Sequence, residues 1–413
     1  MRLTDYVMAP DEIKKQYFNT LTMQVGLRYF GGKAIIGKYL INRVMEMQAY
    51  RYITDEYEPA KYFVDCFTGG GKMALTIPTG WFDTIVMNDL NYGVYSYYKC
   101  CQSKPLALLK MIENLGKIMC YDVFMICAQE RSNRGKHLSA DIINKLKDDY
   151  QTTGEIDFDM ILSAAMTYWV TQGSWLGETD PDRITYALNV GTKNEKEEIR
   201  KVVARAKKRI MNINQKMTRQ TYIIENMDYV KLIEKYHFDK NKNIKEDVIW
   251  YLDPPYHEAT LNKSNGYNED GSLTTEQEAK SKKDKEKGEK ESKPAPYEDS
   301  FSYPQTMAMT HLLSTMKWFI KSDYDPYFFF KDTDDYYHDF DIIENLEEGF
   351  YREYLGSFHK GTSTGHDEGM EVIWTRYDGS KESLVHMGVT AEDRRFWKKK
   401  KHSRELWLQS KTK

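Results

Sequence analysis

No stretch of this sequence is apolar for long enough to cross a membrane; none approaches the roughly 18 consecutive apolar residues that a span needs. The opening residues, MRLTDYVMAPDEIKKQ, lack the apolar core of a secretory signal, so a cytoplasmic protein is expected. Cysteine is scarce. The five present (Cys66, Cys100, Cys101, Cys120 and Cys127) fall in the first third of the chain, and none forms a C-x-x-C pair. The nine histidines add no metal-ligand spacing nearby, so reduced, packed thiols are expected, with no disulfide and no metal. A formal charge of −3 excludes a protein that is basic all over, although local clusters can still bind nucleic acid. There is no G-x-x-x-x-G-K-[ST], which argues against a P-loop nucleotidase, and no internal repeat.

What is present suits a soluble α/β protein. With 413 residues, 41% hydrophobic and 29% charged, the chain can form one large α/β domain with a sizeable insertion, or two domains. Its 31 tyrosines fit base stacking and ordinary core packing equally well. A polar-glycine turn, Arg28-Tyr29-Phe30-Gly31-Gly32-Lys33, precedes an apolar helical pattern at Ile35, Ile36, Tyr39, Leu40 and Val44. The run Tyr62-Phe63-Val64 reads as a buried strand. It enters the cluster Thr68-Gly69-Gly70-Gly71, and a helix starts at Lys72. A second strand, Thr84 to Met87, ends at Asn88-Asp89-Leu90-Asn91, which makes this the opening unit of a parallel sheet.

From 95 to 245 the periodicity is mostly helical. Ile199, Val203, Ala206, Ile210, Ile213 and Met217 form an amphipathic stripe, and Arg200, Lys201, Arg205, Lys207, Lys208 and Arg209 occupy the other faces. Those cations form either a solvated face or a DNA-backbone contact. A third strand, Val248 to Leu252, runs into Asp253-Pro254-Pro255-Tyr256. Residues 262–300 are too polar to bury an apolar core and are expected to form a mobile loop. Helical periodicity returns at 305–320, with strands expected at 327–330 and 370–374. A basic tail follows, with Arg394, Arg395 and Lys398 to Lys401 around Phe396 and Trp397.

Two constellations carry chemistry. Glycines between a strand and a helix let the backbone approach a ligand that a Cβ would block, and Asp89, at the end of the next strand, is placed to accept from ribose hydroxyls. The pair favours a nucleoside ligand over a bare phosphate. The Asp253-Pro254-Pro255-Tyr256 corner is the sharper signal. Consecutive prolines hold a stiff extended turn, which can present the Asp253 carboxylate and the Pro254 carbonyl to one amino group and leave Tyr256 to stack on a base.

In this order the motifs resemble the Dam-like family of DNA adenine methyltransferases. The resemblance rests on Arg28–Lys33, Val64–Gly71, Asn88–Asn91, Asp253–Tyr256 and Glu371-Val372-Ile373-Trp374. Ala164-Ala165 through Ser174-Trp175-Leu176-Gly177 adds to it. The chain departs from the family's pattern at Cys66, where proline is common, and at Lys331-Asp332, where Ser-Asn is common. Its charged segment 262–300 is also long.

The resemblance implies a Rossmann-like, S-adenosylmethionine-dependent methyltransferase sheet with a mostly helical target-recognition insertion. Its divisions would be a cofactor-binding part at 1–94, the insertion at 95–245, a second catalytic part at 246–380 and a basic arm at 381–413. It implies cofactor contacts from Tyr29, Lys33, Asp65, Phe67, Gly69, Gly71, Asp89 and Asp253. Asp253, Pro254, Pro255 and Tyr256 would hold a flipped adenine, and Arg205, Lys207 and Lys208 would contact double-stranded DNA. A monomer, bacterial or phage-encoded and acting in or outside a restriction–modification pair, is expected. The alternatives are cytosine-N4 methylation, which a serine in place of Asp253 would favour, and a catalytically silent DNA-binding subunit.

Overall fold

The structure, a computed structural model, describes residues 1–29, 37–53, 58–132, 158–174, 195–254, 315–325, 351–359 and 368–375, with a few isolated positions between them. The chain divides into two units, Met1–Tyr251 and Leu252–Lys413.

The first unit is built on four parallel strands. They are β1 (Tyr62–Asp65), β2 (Thr84–Asn88), β3 (Thr221–Glu225) and β4 (Val248–Leu252), the last extending one residue past the unit boundary. Their order is β3-β2-β1-β4. Parallel strands are covered on both faces and read as continuous apolar runs. In keeping with this, all five residues of β4 (Val248, Ile249, Trp250, Tyr251, Leu252) are buried, as are Phe63 and Val64 of β1 and Ile85 and Val86 of β2. The register pairs Tyr62 with Val248 and Asp65 with Tyr251 on one side of β1, and Asp65 with Met87 on the other.

From β1 the chain winds outward to β2 and β3, then returns to lay β4 on the opposite side of β1. The strand order therefore reverses between β1 and β4. In open α/β sheets, ligands bind at such a reversal, beyond the carboxyl ends of the strands.

Ten helices are described. The helices α1 (Leu3–Met8), α2 (Asp11–Thr20) and α3 (Gly37–Ile53) precede the sheet, and α4 (Lys72–Thr76) follows the glycine loop. A long crossover then joins β2 to β3 through α5 (Tyr92–Ser103), α6 (Pro105–Ile118), α7 (Tyr121–Glu130), α8 (Phe158–Gly173) and α9 (Glu195–Arg219). Local chemistry sets several of these starts. Pro105 at the first position of α6 fits because its missing N–H would have no helical acceptor there. Asp228 caps α10 (Tyr229–His237) by accepting from the Val230 N–H at 2.8 Å.

The helix α8 is the centre of the crossover. Every residue from Ile161 to Gly173 is buried, and the helix packs on α5, α6 and α7. Two of its buried polar side chains are satisfied within the fold: the Thr171 hydroxyl donates to the Tyr168 carbonyl at 3.1 Å, and the Trp169 indole N–H donates to the Ile112 carbonyl at 3.0 Å. The helix α9 buries Val202, Ala206, Ile210, Ile213 and Met217, a face shifted slightly from the expected stripe, since Ile199 and Val203 are only half-buried.

Sequence periodicity did not disclose β3, which lies inside the 95–245 stretch read as mostly helical. Only Gln220 separates it from α9, so its short alternating pattern merges with the helix before it. The Gln220 side chain makes that junction abrupt. Its amide nitrogen donates to the Phe82 and Asp83 carbonyls at 2.8 and 3.0 Å, and its oxygen accepts from the Gly80 N–H at 2.9 Å, which anchors the turn beside the start of β2.

In the second unit β5 (Phe319–Asp325), β7 (Glu368–Thr375) and β6 (Tyr351–His359) form an antiparallel ladder in the order β5-β7-β6. The expected strand at 370–374 corresponds to β7. The expected helical pattern over 305–320 instead ends in β5, because a short apolar run such as Trp318-Phe319-Ile320 suits a buried helix or strand alike and only its partner β7 decides. The strand expected at 327–330, the charged segment 262–300 and the basic tail lie outside the described residues.

Candidate active site

The site grows from the carboxyl ends of β1 and β2. Beyond β1 the chain turns through Cys66, Phe67 and Thr68 into the three glycines. The turn is fixed by its backbone: the Thr68 N–H donates to the Asn88 carbonyl at 2.8 Å, and the Gly71 N–H donates to the Thr68 carbonyl at 2.7 Å. Gly69 (φ +44°) and Gly71 (φ +68°) occupy the left-handed region, where a side chain is strained. Space is closed there as well. A Cβ on Gly71 would come within 2.4 Å of the Tyr98 hydroxyl, and one on Gly69 within 3.1 Å of the Tyr29 ring.

Asp89, at the end of β2, reaches back to this loop. Its Oδ2 accepts from the Gly69 N–H at 2.8 Å and its Oδ1 from the Asn91 N–H at 2.9 Å, while the side chain stays partly exposed. Asn91 then caps α5, accepting from the Gly93 and Val94 N–H groups at 3.0 and 3.2 Å. The carboxylate is thus held in one orientation at the mouth of the sheet by two backbone donors.

Two asparagines that sequence reasoning did not single out for a role stitch the strand ends together. The Asn88 side chain donates to the Cys66 and Met227 carbonyls, both at 3.0 Å, and accepts from the Met227 N–H at 3.1 Å. Asn226 donates to the Asp89 and Leu90 carbonyls at 2.8 and 2.9 Å. The turns after β1, β2 and β3 therefore form one hydrogen-bonded rim. Phe67 lies 5.8 Å from the ring of Tyr229, whose phenol is pushed up to about 12 by burial and by the neighbouring Asp228. Cys66 is fully buried, and burial beside Asp65 raises its thiol well above the ordinary value.

Of the residues expected at the site, Asp65, Phe67, Gly69, Gly71 and Asp89 gather at this rim, with Tyr29 against Gly69. Asp65 is buried at the end of β1. Asp253 and Pro254 directly follow β4, and Asp253 is half-buried. Lys33, Pro255 and Tyr256 lie outside the described residues. The segment after α8 also reaches the N-terminal turn, since a Cβ on Gly177 (φ +81°) would lie 2.7 Å from the Arg28 carbonyl oxygen. Arg205, Lys207 and Lys208 are exposed on α9, away from its buried stripe. Among the described residues, no group of three or more His, Cys, Asp or Glu could hold a metal, and no helix is long and apolar enough to cross a membrane.

A parallel sheet with a glycine loop after β1 and a carboxylate after β2 defines a Rossmann-like α/β protein. The pattern of the D12 class N6 adenine-specific DNA methyltransferases matches residues 47–323, more than half of the chain, and the chain belongs to that family. The family's reaction is transfer of a methyl group to adenine N6 in DNA, which favours adenine over the cytosine-N4 reading. No curated protein matches the chain.

Proposed function

We propose that the methyl donor is S-adenosylmethionine, held at the β1–β2 rim, and that the acceptor is an adenine turned out of duplex DNA and held by Asp253, Pro254, Pro255 and Tyr256. The observation that carries this reading is the hydrogen bond from the Gly69 N–H to Asp89. It fixes Asp89 at the sheet's mouth with the carboxylate partly exposed, an arrangement that suits the diol of a nucleoside. The residues fit the donor in other respects. Asp65 and the Phe67–Gly71 turn would border its methionine part, and Tyr29 and Lys33 would contribute further contacts. The bound donor supplies an electrophilic methyl group on a sulfonium.

The chain's own residues have to make the acceptor reactive. The amino nitrogen of adenine is a poor nucleophile because its lone pair is delocalised into the ring. Hydrogen bonds from its two N–H groups to the Asp253 carboxylate and the Pro254 carbonyl would localise that pair and stabilise the positive charge that develops on nitrogen. Turning the base out of the duplex costs a few kcal/mol, and stacking on Tyr256 offsets about 1–3 kcal/mol of it. The helices within 95–245, with Arg205, Lys207 and Lys208 exposed on α9, supply the contact to DNA.

Transfer of labelled methyl from S-adenosylmethionine to duplex DNA, read as N6-methyladenine, tests the assignment. Asp253→Asn is expected to lower the rate at saturating substrates by at least about a hundredfold. A folded variant that methylates at the parent rate would overturn the role given to Asp253.

A further inference from the structure

Tyr98 lies two turns into α5, and its hydroxyl sits where three chain segments meet. Its side chain is buried, and the O–H donates to the Gly69 carbonyl at 3.1 Å while accepting from the Leu27 N–H at 3.3 Å. The backbone closes around this oxygen. A Cβ built on Gly71 or on Gly26 would each come within 2.4 Å of it, and the Gly26 Cβ would also meet the Gly70 carbonyl oxygen at 2.6 Å.

With this bond, both backbone polar groups of Gly69 are committed: the N–H to Asp89 and the C=O to Tyr98. The peptides on either side of Gly69 are therefore fixed in orientation. The same hydroxyl holds Leu27, two residues before Tyr29, whose ring packs on Gly69. We infer that Tyr98 is a positioning residue for the methyl donor: its hydroxyl ties the glycine turn to the N-terminal segment 26–29 and holds both in the form that binds the cofactor. This rests on the reading of the rim as the cofactor site.

A tyrosine hydroxyl suits the position because it both donates and accepts, whereas phenylalanine of nearly the same shape can do neither. Burial raises the phenol well above its ordinary value, so the proton needed for the bond to Gly69 stays in place across the working range of pH. The ring is steadied by an edge-on contact with Tyr97, centroids 5.3 Å apart. Tyr97 provides a control. It too is fully buried, but no hydrogen bond ties its hydroxyl to the loop.

Calorimetric titration of the full chain with S-adenosylmethionine tests the inference. Tyr98→Phe is expected to weaken cofactor binding about tenfold, equivalent to about 1.4 kcal/mol, and to raise the cofactor KM in step. The rate at saturating cofactor and the affinity for DNA should be unchanged, since no group touching adenine is altered. Backbone amide exchange at 26–29 and 68–71 should quicken. Tyr97→Phe should leave the cofactor affinity at the parent value. A Tyr98→Phe protein that binds the cofactor as tightly as the parent, or a Tyr97→Phe protein weakened as much, overturns the inference while leaving the rim's role intact. If the parent chain itself does not bind S-adenosylmethionine, the cofactor reading of the rim fails and this inference falls with it.

Discussion

A single carboxylate and a single peptide group set the geometry at the mouth of the sheet. Asp89 and the Gly69 N–H hold each other at 2.8 Å, and the glycine turn is possible only because Gly69 and Gly71 accept positive φ. Replacing Gly71 by alanine adds two separate costs. The left-handed conformation is disfavoured by about 1–2 kcal/mol for a residue with a Cβ. The new methyl would also press on the Tyr98 hydroxyl and on its ring carbon, 2.7 Å away, neither of which is the end of a flexible side chain. Gly71→Ala is therefore expected to lose at least this much stability in denaturant unfolding and to lose cofactor binding along with it. Unchanged stability together with unchanged binding would show that the turn has another conformation open to it.

At the scale of elements, the crossover between β2 and β3 carries two features on one set of helices. The helix α5 leaves the site directly, capped by Asn91 and carrying Tyr98. The helix α9 covers α5 and α6 with its apolar face and turns Arg205, Lys207 and Lys208 outward. If that outer face meets the DNA backbone, each phosphate contact it makes contributes about 0.9 to the slope of log affinity against log salt. Reversing all three charges to glutamate should weaken duplex binding and flatten that slope, while thermal stability stays near the parent value because the residues are exposed. Equal affinities of parent and variant at both low and moderate salt would remove α9 from the DNA interface.

For the molecule as a whole, buried phenols set an alkaline limit. Tyr97, Tyr98, Tyr168 and Tyr222 are all raised above the ordinary tyrosine value, chiefly because burial disfavours the anion, with Tyr168 at about 12. A folded-state value above the unfolded one means that stability is fully present below the unfolded value. It is lost as pH rises above about 10, where unfolded tyrosines ionise. The protein is expected to hold its stability up to about pH 10 and then unfold cooperatively, with the last part of the tyrosinate absorbance appearing together with loss of helix by circular dichroism. A full tyrosinate signal from all 31 tyrosines, reached near pH 10 in a protein still helical, would show that these buried side chains are open to water.

The sequence by itself determined the elements whose cues are local. A buried apolar run entering glycines located β1 and its turn, and the run from Val248 to Leu252 located β4, with the proline corner directly after it. Even the family could be read from the order of those motifs, because each depends on residues adjacent in the chain. Tertiary structure decided what depends on distant partners. It made Thr221–Glu225 a strand by pairing it with β2, began a strand at Phe319 by pairing it with β7, and chose Val202 over Val203 for the buried face of α9. It also gave roles to Asn88, Asn226 and Tyr98, whose acceptors lie up to 139 residues away. An amide or a hydroxyl in a sequence has no direction, and only the folded backbone supplies the donors and acceptors that give it one.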